Sequence, residues 1–229
     1  MCGFAGQFNL FDNSVDQDVI KSMIKIINHR GPDSRGLYVE KNFGVGHSQF
    51  VWDVRQNEKV VDVFSKLWET PKEDLLTSFD GASFHFPPEE TNRGWYRNTW
   101  YHTDQSFLRP EFECVQTWVT AEDVDEGDAT LAFYEGSNKY HQEFEKIFQT
   151  KDKGDWHKLT PEQEQFYIEK GCIEKRIKCP KGSLVAWDSR TIHCGSESFK
   201  TRKKAKWRSV IYLCYQPRSL ATEAMLKKK

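Results

Sequence analysis

The chain has 229 residues, enough for one large domain or two small ones, and its 38% hydrophobic and 14% aromatic content can supply a packed core. A formal net charge of -1 excludes a global field that would attract nucleic acid or an anionic membrane, and we expect the chain to bind neither. No apolar run approaches the ~18 residues that a membrane span requires.

The six cysteines form no CxxC pair and show no zinc-like spacing. Cys114 and Cys214 lie in apolar, strand-like runs and indicate small buried side chains. This cysteine usage is typical of a reducing compartment. The N-terminus also lacks the basic region and long apolar stretch of a secretory signal, so we expect a cytoplasmic location.

Residues 1–42 are predicted to form a strand over residues 3–10, followed by a helix. The acidic residues of segment 16–18 suit the start of that helix, and Arg30-Gly31-Pro32-Asp33 suits a turn at its end. Apolar residues recur at helical spacing in between, at Val19, Ile20, Met23, Ile24, Ile26 and Ile27. We predict that this segment is a unit separate from residues 43–229.

Residues 43–79 are predicted to be mostly helical, with a stop at Pro71. Their apolar stripe consists of Val51, Val54, Val60, Val61, Val63, Phe64 and Leu67. From Phe79 onward the pattern changes to short strands separated by polar turns. The predicted strands are residues 83–86, 112–120, 130–134, 183–187 and 209–215, with helical segments at 140–148 and 161–170. Many short strands of this kind indicate a β-sandwich or a jelly roll.

Two imidazoles and one carboxylate are the candidate metal ligands. His102 and Asp104 are two positions apart, so on a strand both side chains point to one face. His193 ends the run Trp187-Asp188-Ser189-Arg190-Thr191-Ile192-His193 and would come from a strand that a jelly roll places alongside. This donor set is typical of a non-haem Fe(II) site, in which open positions can accept O2 and a co-substrate. The alternatives are a hydrogen-bonded surface role for His102 and a strand-end histidine bound to a backbone carbonyl for His193.

Arg208 begins a predicted strand, and its guanidinium can pair with a carboxylate through two hydrogen bonds. The alternative for Arg208 is a surface salt bridge. Arg202 is a rival for the same role, but the basic run of residues 200–206 around it predicts a solvated loop. His85 alternates with two phenylalanines and is predicted to be structural, although it could also face a pocket.

Residues 43–229 resemble the phytanoyl-CoA dioxygenase family of Fe(II)/2-oxoglutarate oxygenases. The blocks that carry the resemblance are residues 46–56, 78–81, 100–106, 116–120, 126–131, 135–137, 180–183 and 187–195. The resemblance implies a mainly β fold with flanking helices, the double-stranded β-helix (cupin-like jelly roll). It also implies that His102, Asp104 and His193 bind Fe(II), and that 2-oxoglutarate and O2 are co-substrates.

The same resemblance implies that Arg208 binds the 2-oxoglutarate carboxylate and that Gln116 and Thr130 line the same pocket. The implied reaction converts 2-oxoglutarate and O2 to succinate and CO2 while a small organic substrate is hydroxylated. Four aromatic residues are predicted to supply either an apolar shield for this chemistry or ordinary core: Trp100, Tyr101, Trp118 and Phe133.

The first 48 or so residues are similar to the start of the glutamine amidotransferase domain of asparagine synthetase. The similarity rests on residues 1–6, 29–34 and 44–47, and that family uses an N-terminal cysteine, here Cys2, as nucleophile. Ser48-Gln49-Phe50 stands where that family has a glutamine-binding arginine, and its later Asn-Gly segment has no counterpart. We therefore expect a truncated, inactive fragment.

Three functions follow from these patterns. The leading prediction is an Fe(II)/2-oxoglutarate dioxygenase, and the alternative is a non-catalytic jelly-roll binding module. Glutamine amidotransferase activity through Cys2 is the least favoured. The patterns do not indicate an oligomeric state or identify the substrate.

Overall fold

The computed structural model describes residues 44–91, 100–150 and 154–223, together with positions 18, 95 and 226. Apart from Asp18, the strand and helix predicted for residues 1–42 lie outside these residues, so their existence stays a prediction. None of the helices in the described part of the chain has the length and apolarity of a membrane span.

Residues 44–79 are mostly helical, as predicted, and contain two α-helices, α1 (Gln49–Arg55) and α2 (Glu58–Leu67). The break occurs at Asn57, whose side chain accepts a hydrogen bond from the backbone N–H of Lys59. Because this cap satisfies one of the free N–H groups at a helix start, it favours a new helix at this point over continuation of the first.

Part of the predicted apolar stripe of α2 packs on a β-sheet. Val60 and Phe64 are buried against Leu213 and Tyr215. The Phe64 and Tyr215 rings lie 4.8 Å apart between centroids. Helical spacing therefore identified the buried Val60 and Phe64, whereas Val63 and Leu67 of the same predicted stripe are 40% and 45% exposed.

Ten strands follow in the described residues: β1 (Leu75–Thr77), β2 (Ala82–His85), β3 (His102–Thr103), β4 (Val115–Thr120), β5 (Thr130–Glu135), β6 (His157–Lys158), β7 (Ile173–Arg176), β8 (Leu184–Asp188), β9 (His193–Ser196) and β10 (Arg208–Pro217). Two helices interrupt them, α3 (His141–Phe148) after β5 and α4 (Pro161–Glu169) after β6.

The strands form two five-stranded sheets. Sheet I has the order β1-β10-β4-β8, and β2 pairs with the first part of β10. Sheet II has the order β6-β3-β9-β5-β7. All these pairs are antiparallel, and most link strands that are distant in sequence. The predicted fold, a mainly β jelly roll with flanking helices, is confirmed.

The two sheets meet through buried side chains. Trp118 of β4 and Val210 of β10 pack on Leu131 of β5, so residues of both sheets share one apolar cluster. A second cluster lies where α3 and α4 cover sheet II, with Phe144 and Tyr167 fully buried within it. The helices therefore support the sheet that carries the candidate histidines.

Arg202 corrects the prediction that residues 200–206 form a solvated loop. Its side chain is almost fully buried and forms ion pairs with Glu89 and Asp128, at 2.6 and 3.3 Å. Lys206 pairs with Asp125 in the same cluster. The carboxylates of Glu89 and Asp128 compensate the buried charge of Arg202. Both lie far from residues 200–206 in the sequence, so the basic run alone does not indicate this burial. The cluster fastens the β9–β10 loop to the turn before β5.

We expect Phe144→Ala to lower the free energy of unfolding by about 3–5 kcal/mol, because it leaves a cavity in the cluster beneath sheet II. Urea denaturation followed by circular dichroism measures the change. Ile147→Ala, on the same helix but 54% exposed, is the control and should cost only roughly 0.5 kcal/mol. Equal losses in the two variants would contradict this description of the core.

Candidate metal centre

The pairing of β3 with β9 brings two histidines together. In this antiparallel pair His102 lies directly opposite His193. Directly opposed residues project from the same face of a sheet, so both imidazoles point the same way. Their ring centroids are 4.4 Å apart. A jelly roll therefore supplies the proximity of these two residues, as the sequence pattern required.

Asp104 completes the group from a different backbone geometry than predicted. The strand β3 ends at Thr103, so His102 and Asp104 do not lie on one regular strand. The Asp104 carboxylate nevertheless approaches both rings, with Oδ1 3.5 Å from His102 Nε2 and Oδ2 3.3 Å from His193 Nε2. Because Asp104 lies after the end of β3, its side chain does not have to follow the alternation of a strand, and its carboxylate points towards both imidazoles.

The three donor atoms lie within 4.8 Å of one another, which makes the group suitable for a metal ion. Nitrogen and oxygen ligands that bind at about 2.1 Å and at right angles are separated by about 3 Å. The distances from Asp104 to the two histidines, 3.5 and 3.3 Å, are close to that separation. Two imidazoles and one carboxylate also form the donor set that Fe(II) oxygenases use.

Backbone carbonyl groups orient both imidazoles. Nδ1 of His102 lies 3.1 Å from the Trp100 carbonyl oxygen, and Nδ1 of His193 lies 2.8 Å from that of Thr191. When each Nδ1–H donates to its carbonyl, the Nε2 lone pair is directed at Asp104 and available to a metal. Such outer contacts fix the tautomer of ligating histidines.

The protonation states suit metal binding. Burial lowers the pKa of His102 to about 4, and the neighbouring His193 contributes to the decrease. Burial alone would raise the pKa of Asp104, but the contact with His193 and the hydrogen bond from Gln116 outweigh it and bring the pKa to about 2. At neutral pH His102 is therefore neutral and Asp104 ionised, as ligands must be.

Gln116 is a neighbour of the candidate ligands. Its side-chain Nε2 donates a 2.6 Å hydrogen bond to Asp104 Oδ2. A buried network holds the chain on the other side, where Thr103 Oγ1 donates to the Ser189 carbonyl and Ser189 Oγ donates to Gln105 Oε1. These bonds tie the segment that follows β3 to the turn that precedes His193.

That turn is itself rigidly held. Asp188 accepts hydrogen bonds from the Arg190 guanidinium at 2.7 and 3.0 Å, and from Asn138 Nδ2 at 3.2 Å. Arg190 Nη1 also donates to the Pro110 carbonyl at 2.8 Å. The run from Trp187 to His193 therefore carries structural residues beside the candidate ligand.

A cavity of about 740 Å³ adjoins the three candidate ligands. Sheet I contributes Gln116, Trp187 and Arg208 to its lining, whereas sheet II contributes His102 and His193. The cavity therefore lies between the two sheets. Its volume is in the range that small-molecule sites usually have.

Arg208 and Thr130 have different positions relative to this cavity. Arg208 lines it and is buried, with Nη1 3.5 Å from His85 Nε2, and its Nε has no hydrogen-bond partner among the described residues. Thr130 is buried on β5 but is not part of the lining, and its hydroxyl donates to the Ile177 carbonyl. His85 itself faces the cavity, although a structural role was favoured for it.

Of the four aromatic residues considered as a shield, Trp100 lines the cavity. The other three, Tyr101, Trp118 and Phe133, are not among the lining residues. Trp156 and Trp187 do line the cavity, and sequence reasoning did not select either of them. Trp156 lies between a helix and a two-residue strand, where no periodic pattern distinguishes a pocket residue.

Cys114 and Cys214 also line the cavity, and their Sγ atoms are 3.2 Å apart. The prediction that they are small buried residues is therefore incomplete, since both are half-buried in its wall. Only the pairing of β4 with β10 makes them neighbours. Cys2, the residue considered for amidotransferase chemistry, lies outside the described residues.

Comparison with known proteins identifies the family. The profile of the family described as Phytanoyl-CoA dioxygenase (PhyH) matches residues 21–205. Ava biosynthesis cluster protein O from Aspergillus versicolor is 29% identical over 198 residues, which cover 82% of this chain and 60% of that relative. The chain therefore spans less than two thirds of the relative's length.

A solved structure shows the same fold. The crystal structure of AviO1 from Streptomyces viridochromogenes Tue57 has a TM-score of 0.50 with this chain, at 14% identity. The match covers 88% of this chain and 83% of AviO1. At this identity the likeness concerns the fold alone.

The likeness to asparagine synthetase is short. Asparagine synthetase [glutamine-hydrolyzing] 1 from Bacillus subtilis (strain 168) is 43% identical over 49 residues, which are 20% of this chain and 8% of that enzyme. The dioxygenase profile begins at residue 21, inside the segment 1–42 that was predicted to be separate. The boundary at residue 42 therefore stays a prediction.

We expect the stability of the metal-free protein to fall between pH 6.5 and pH 4. Because the pKa of His102 is about 4 in the folded state, the unfolded chain binds a proton over this range and the folded chain does not. The contribution is fully present above pH 6.5 and amounts to about 3 kcal/mol, lost as the pH falls to 4. Urea denaturation in a chelating buffer at several pH values measures it.

The reference for this experiment is His102→Gln, which should lack this part of the pH dependence. His141, whose pKa burial also lowers, contributes to the slope in both proteins and cancels in the comparison. Identical slopes for the two proteins would show that His102 is not the group responsible.

Proposed function

The chain belongs to the phytanoyl-CoA dioxygenase family, and we propose on that basis that it is an Fe(II)- and 2-oxoglutarate-dependent oxygenase that hydroxylates a small organic molecule. The observation that carries the proposal is the convergence of His102, Asp104 and His193 at a cavity between the two sheets. Family membership alone would leave open whether this chain retains the ligands.

The two imidazoles and the carboxylate would hold Fe(II), and three protein ligands are the number that such sites use when a co-substrate also binds. The bound ion would supply the activation of O2 and the chelation of the 2-oxo acid. The protein's contribution is to orient the ligands. His102 and His193 are aimed by the Trp100 and Thr191 carbonyl groups, and Asp104 is held by the Gln116 amide.

Arg208 is proposed to bind the carboxylate of 2-oxoglutarate that is remote from the metal. A buried guanidinium requires a compensating anion, because removing a charge from water is costly. Among the described residues its Nε has no partner, and His85 is the side chain near its Nη1. A dicarboxylate bound at the metal by one end would supply the missing anion at the other.

Gln116 is proposed to act on the co-substrate site through Asp104 rather than by direct contact. Its amide restrains the carboxylate oxygen that faces His193. Thr130, which the family resemblance also placed in the pocket, is not supported in a binding role. Its hydroxyl is engaged by the Ile177 carbonyl, and the cavity lining includes its neighbour Leu131 instead.

The substrate is proposed to be a small organic molecule. The cavity volume of about 740 Å³ exceeds what a five-carbon dicarboxylate needs, which leaves room for a second molecule. The relative from Aspergillus versicolor is named for a biosynthesis cluster, which supports a substrate that is an intermediate of a biosynthetic pathway.

All five cysteines in the described residues are free, which supports the proposed reducing, cytoplasmic location.

We expect anaerobic addition of Fe(II) and then 2-oxoglutarate to produce a weak visible charge-transfer band, because the 2-oxo acid would chelate the metal. His193→Ala should lose metal binding in calorimetry and also lose the band. His47→Ala is the matched control, since His47 is exposed and stacks on Phe79, and it should bind both normally. Absence of metal binding to the wild-type protein would refute the proposal.

Arg208→Met should keep metal binding but weaken 2-oxoglutarate at least about thirtyfold, because the buried carboxylate loses its partner. Arg218→Met is the control for loss of a positive charge, because Arg218 is an exposed arginine just after β10.

A protein that binds Fe(II) and 2-oxoglutarate but forms no succinate with any substrate tested would be the non-catalytic binding module.

A further inference from the structure

Two tryptophans at the cavity lie beside a candidate metal ligand. The Trp100 ring is stacked on the His102 ring, with centroids 4.5 Å apart and planes 9° apart. The Trp156 ring lies 5.8 Å from the same imidazole, at 39°. Both indoles line the cavity, and they are 39% and 52% exposed. The cavity therefore has two broad, apolar, accessible faces next to the metal centre.

The Trp100 indole is fixed in place. Its Nε1 donates a 3.0 Å hydrogen bond to the Gly195 carbonyl on β9. The ring also lies over Gly195, where an added Cβ would be in ordinary van der Waals contact with it, at 3.5 Å. With stacking on His102 on one face and a hydrogen bond at its edge, this ring offers a rigid surface rather than a mobile one.

The backbone of Trp156 has an unusual conformation. Its φ of 130° lies in a region that residues with a side chain rarely adopt, and such strain persists where the surrounding structure imposes it. The next two residues form β6, which pairs with β3, so that Lys158 lies opposite His102. The position of this exposed indole is thus coupled to the strand that carries the metal ligand.

We propose that Trp100 and Trp156 bind an aromatic ring of the substrate. This inference rests on the proposed function and adds the substrate class: a small molecule with a planar aromatic group, placed next to the three ligands by its contact with the indoles. Aromatic rings gain from stacked and edge contacts beyond the area that they bury. Small-molecule cavities are lined mainly by apolar and aromatic side chains, and contiguous accessible apolar surface marks binding sites.

The test uses a matched pair of probes, naphthalen-2-ylmethanol and its fully saturated decahydro analogue. Their dissociation constants for the whole metal-free protein are measured by ligand-observed NMR. We expect the aromatic probe to bind roughly tenfold more tightly than the saturated one. In Trp156→Leu the aromatic probe should lose about tenfold in affinity, while the saturated probe should change little.

Trp207→Leu is the control variant. Trp207 is 49% exposed, packs edge-on against Phe86 and is not among the cavity-lining residues, so its replacement should leave both affinities unchanged. Trp156→Phe should retain most of the aromatic preference. Equal binding of the two probes, or unaltered aromatic binding in Trp156→Leu, would overturn the inference. Because no iron or 2-oxoglutarate is present, this failure is distinct from failure of the metal and co-substrate titrations.

A second observation is independent of the indoles. Cys114 precedes β4 and Cys214 lies on β10, where its Cα partner is Gln116. Their Sγ atoms are 3.2 Å apart in the cavity wall. The hydrogen bond between the two thiols lowers the pKa of Cys114. Cys114 is therefore the better nucleophile of the pair, since the thiolate is the reactive form.

We infer that Cys114 and Cys214 form a reversible disulfide by exchange with a low-molecular-weight disulfide such as oxidised glutathione. The Cys114 thiolate attacks one glutathione sulfur, which forms a mixed disulfide and releases one glutathione. Cys214 then loses its proton and attacks the Cys114 sulfur, which releases the second glutathione. Two protein thiols are oxidised, one disulfide is reduced to two thiols, and the two protons pass to glutathione.

To form the bond, the two sulfurs need to approach from 3.2 Å to about 2.05 Å. The test is incubation of the whole protein with oxidised glutathione, alkylation after denaturation, and peptide mass spectrometry. We expect a cross-link between the two peptides that dithiothreitol reverses. Cys114→Ser and Cys214→Ala should each abolish it.

Cys179→Ser is the control and should leave the cross-link intact, because Cys179 lies on the Val124 bridge away from this pair. Two thiols that both stay alkylatable at a glutathione redox poise more oxidising than that of the cytosol would refute the inference. Stable glutathione adducts on Cys114, with no transfer to Cys214, would do the same.

Discussion

A cross-strand pair, His102 of β3 opposite His193 of β9, joins two imidazoles that are far apart in the sequence. Every other part of the site is arranged around it. Asp104 reaches both rings from the bend after β3, and Gln116 restrains it from the opposite sheet. Because β3 has only two residues, its pairing depends on neighbours, chiefly the hydrogen-bonded segment after Thr103 and the turn before His193. The pairing of β3 with β9 is therefore both a long-range contact of the fold and the contact that brings the two candidate metal ligands together.

The larger elements could be predicted because they follow periodic patterns. The strands expected at residues 112–120, 130–134 and 209–215 correspond to β4, β5 and β10, and the two helical inserts correspond to α3 and α4. The short strands β3, β6 and β9 gave no such signal, since their two to four residues carry no alternation of apolar and polar side chains. Their pairing with distant strands stabilises them, and no local pattern encodes that pairing.

Residue types in the site could be recognised, whereas their neighbours could not. The donor set and Arg208 stand out by chemistry and context alone. Trp156 has no sequence pattern that marks it, since it precedes a strand of only two residues and has an unusual backbone φ of 130°. The Cys114–Cys214 contact depends on how β4 pairs with β10. Arg202 was misjudged for a similar reason: the carboxylates of Glu89 and Asp128 that permit its burial come from other parts of the chain.

Strand β10 is shared by nearly the whole of sheet I. It pairs with β1 at its end, with β2 at its start and with β4 in between, and it carries Arg208 and Cys214. A slip of one residue would turn every side chain of β10 to the opposite side. Arg208 would then leave the cavity at the same moment as the apolar packing of Val210 failed. The same register therefore sets both the packing of the two sheets and the position of Arg208, the residue proposed to bind the 2-oxoglutarate carboxylate.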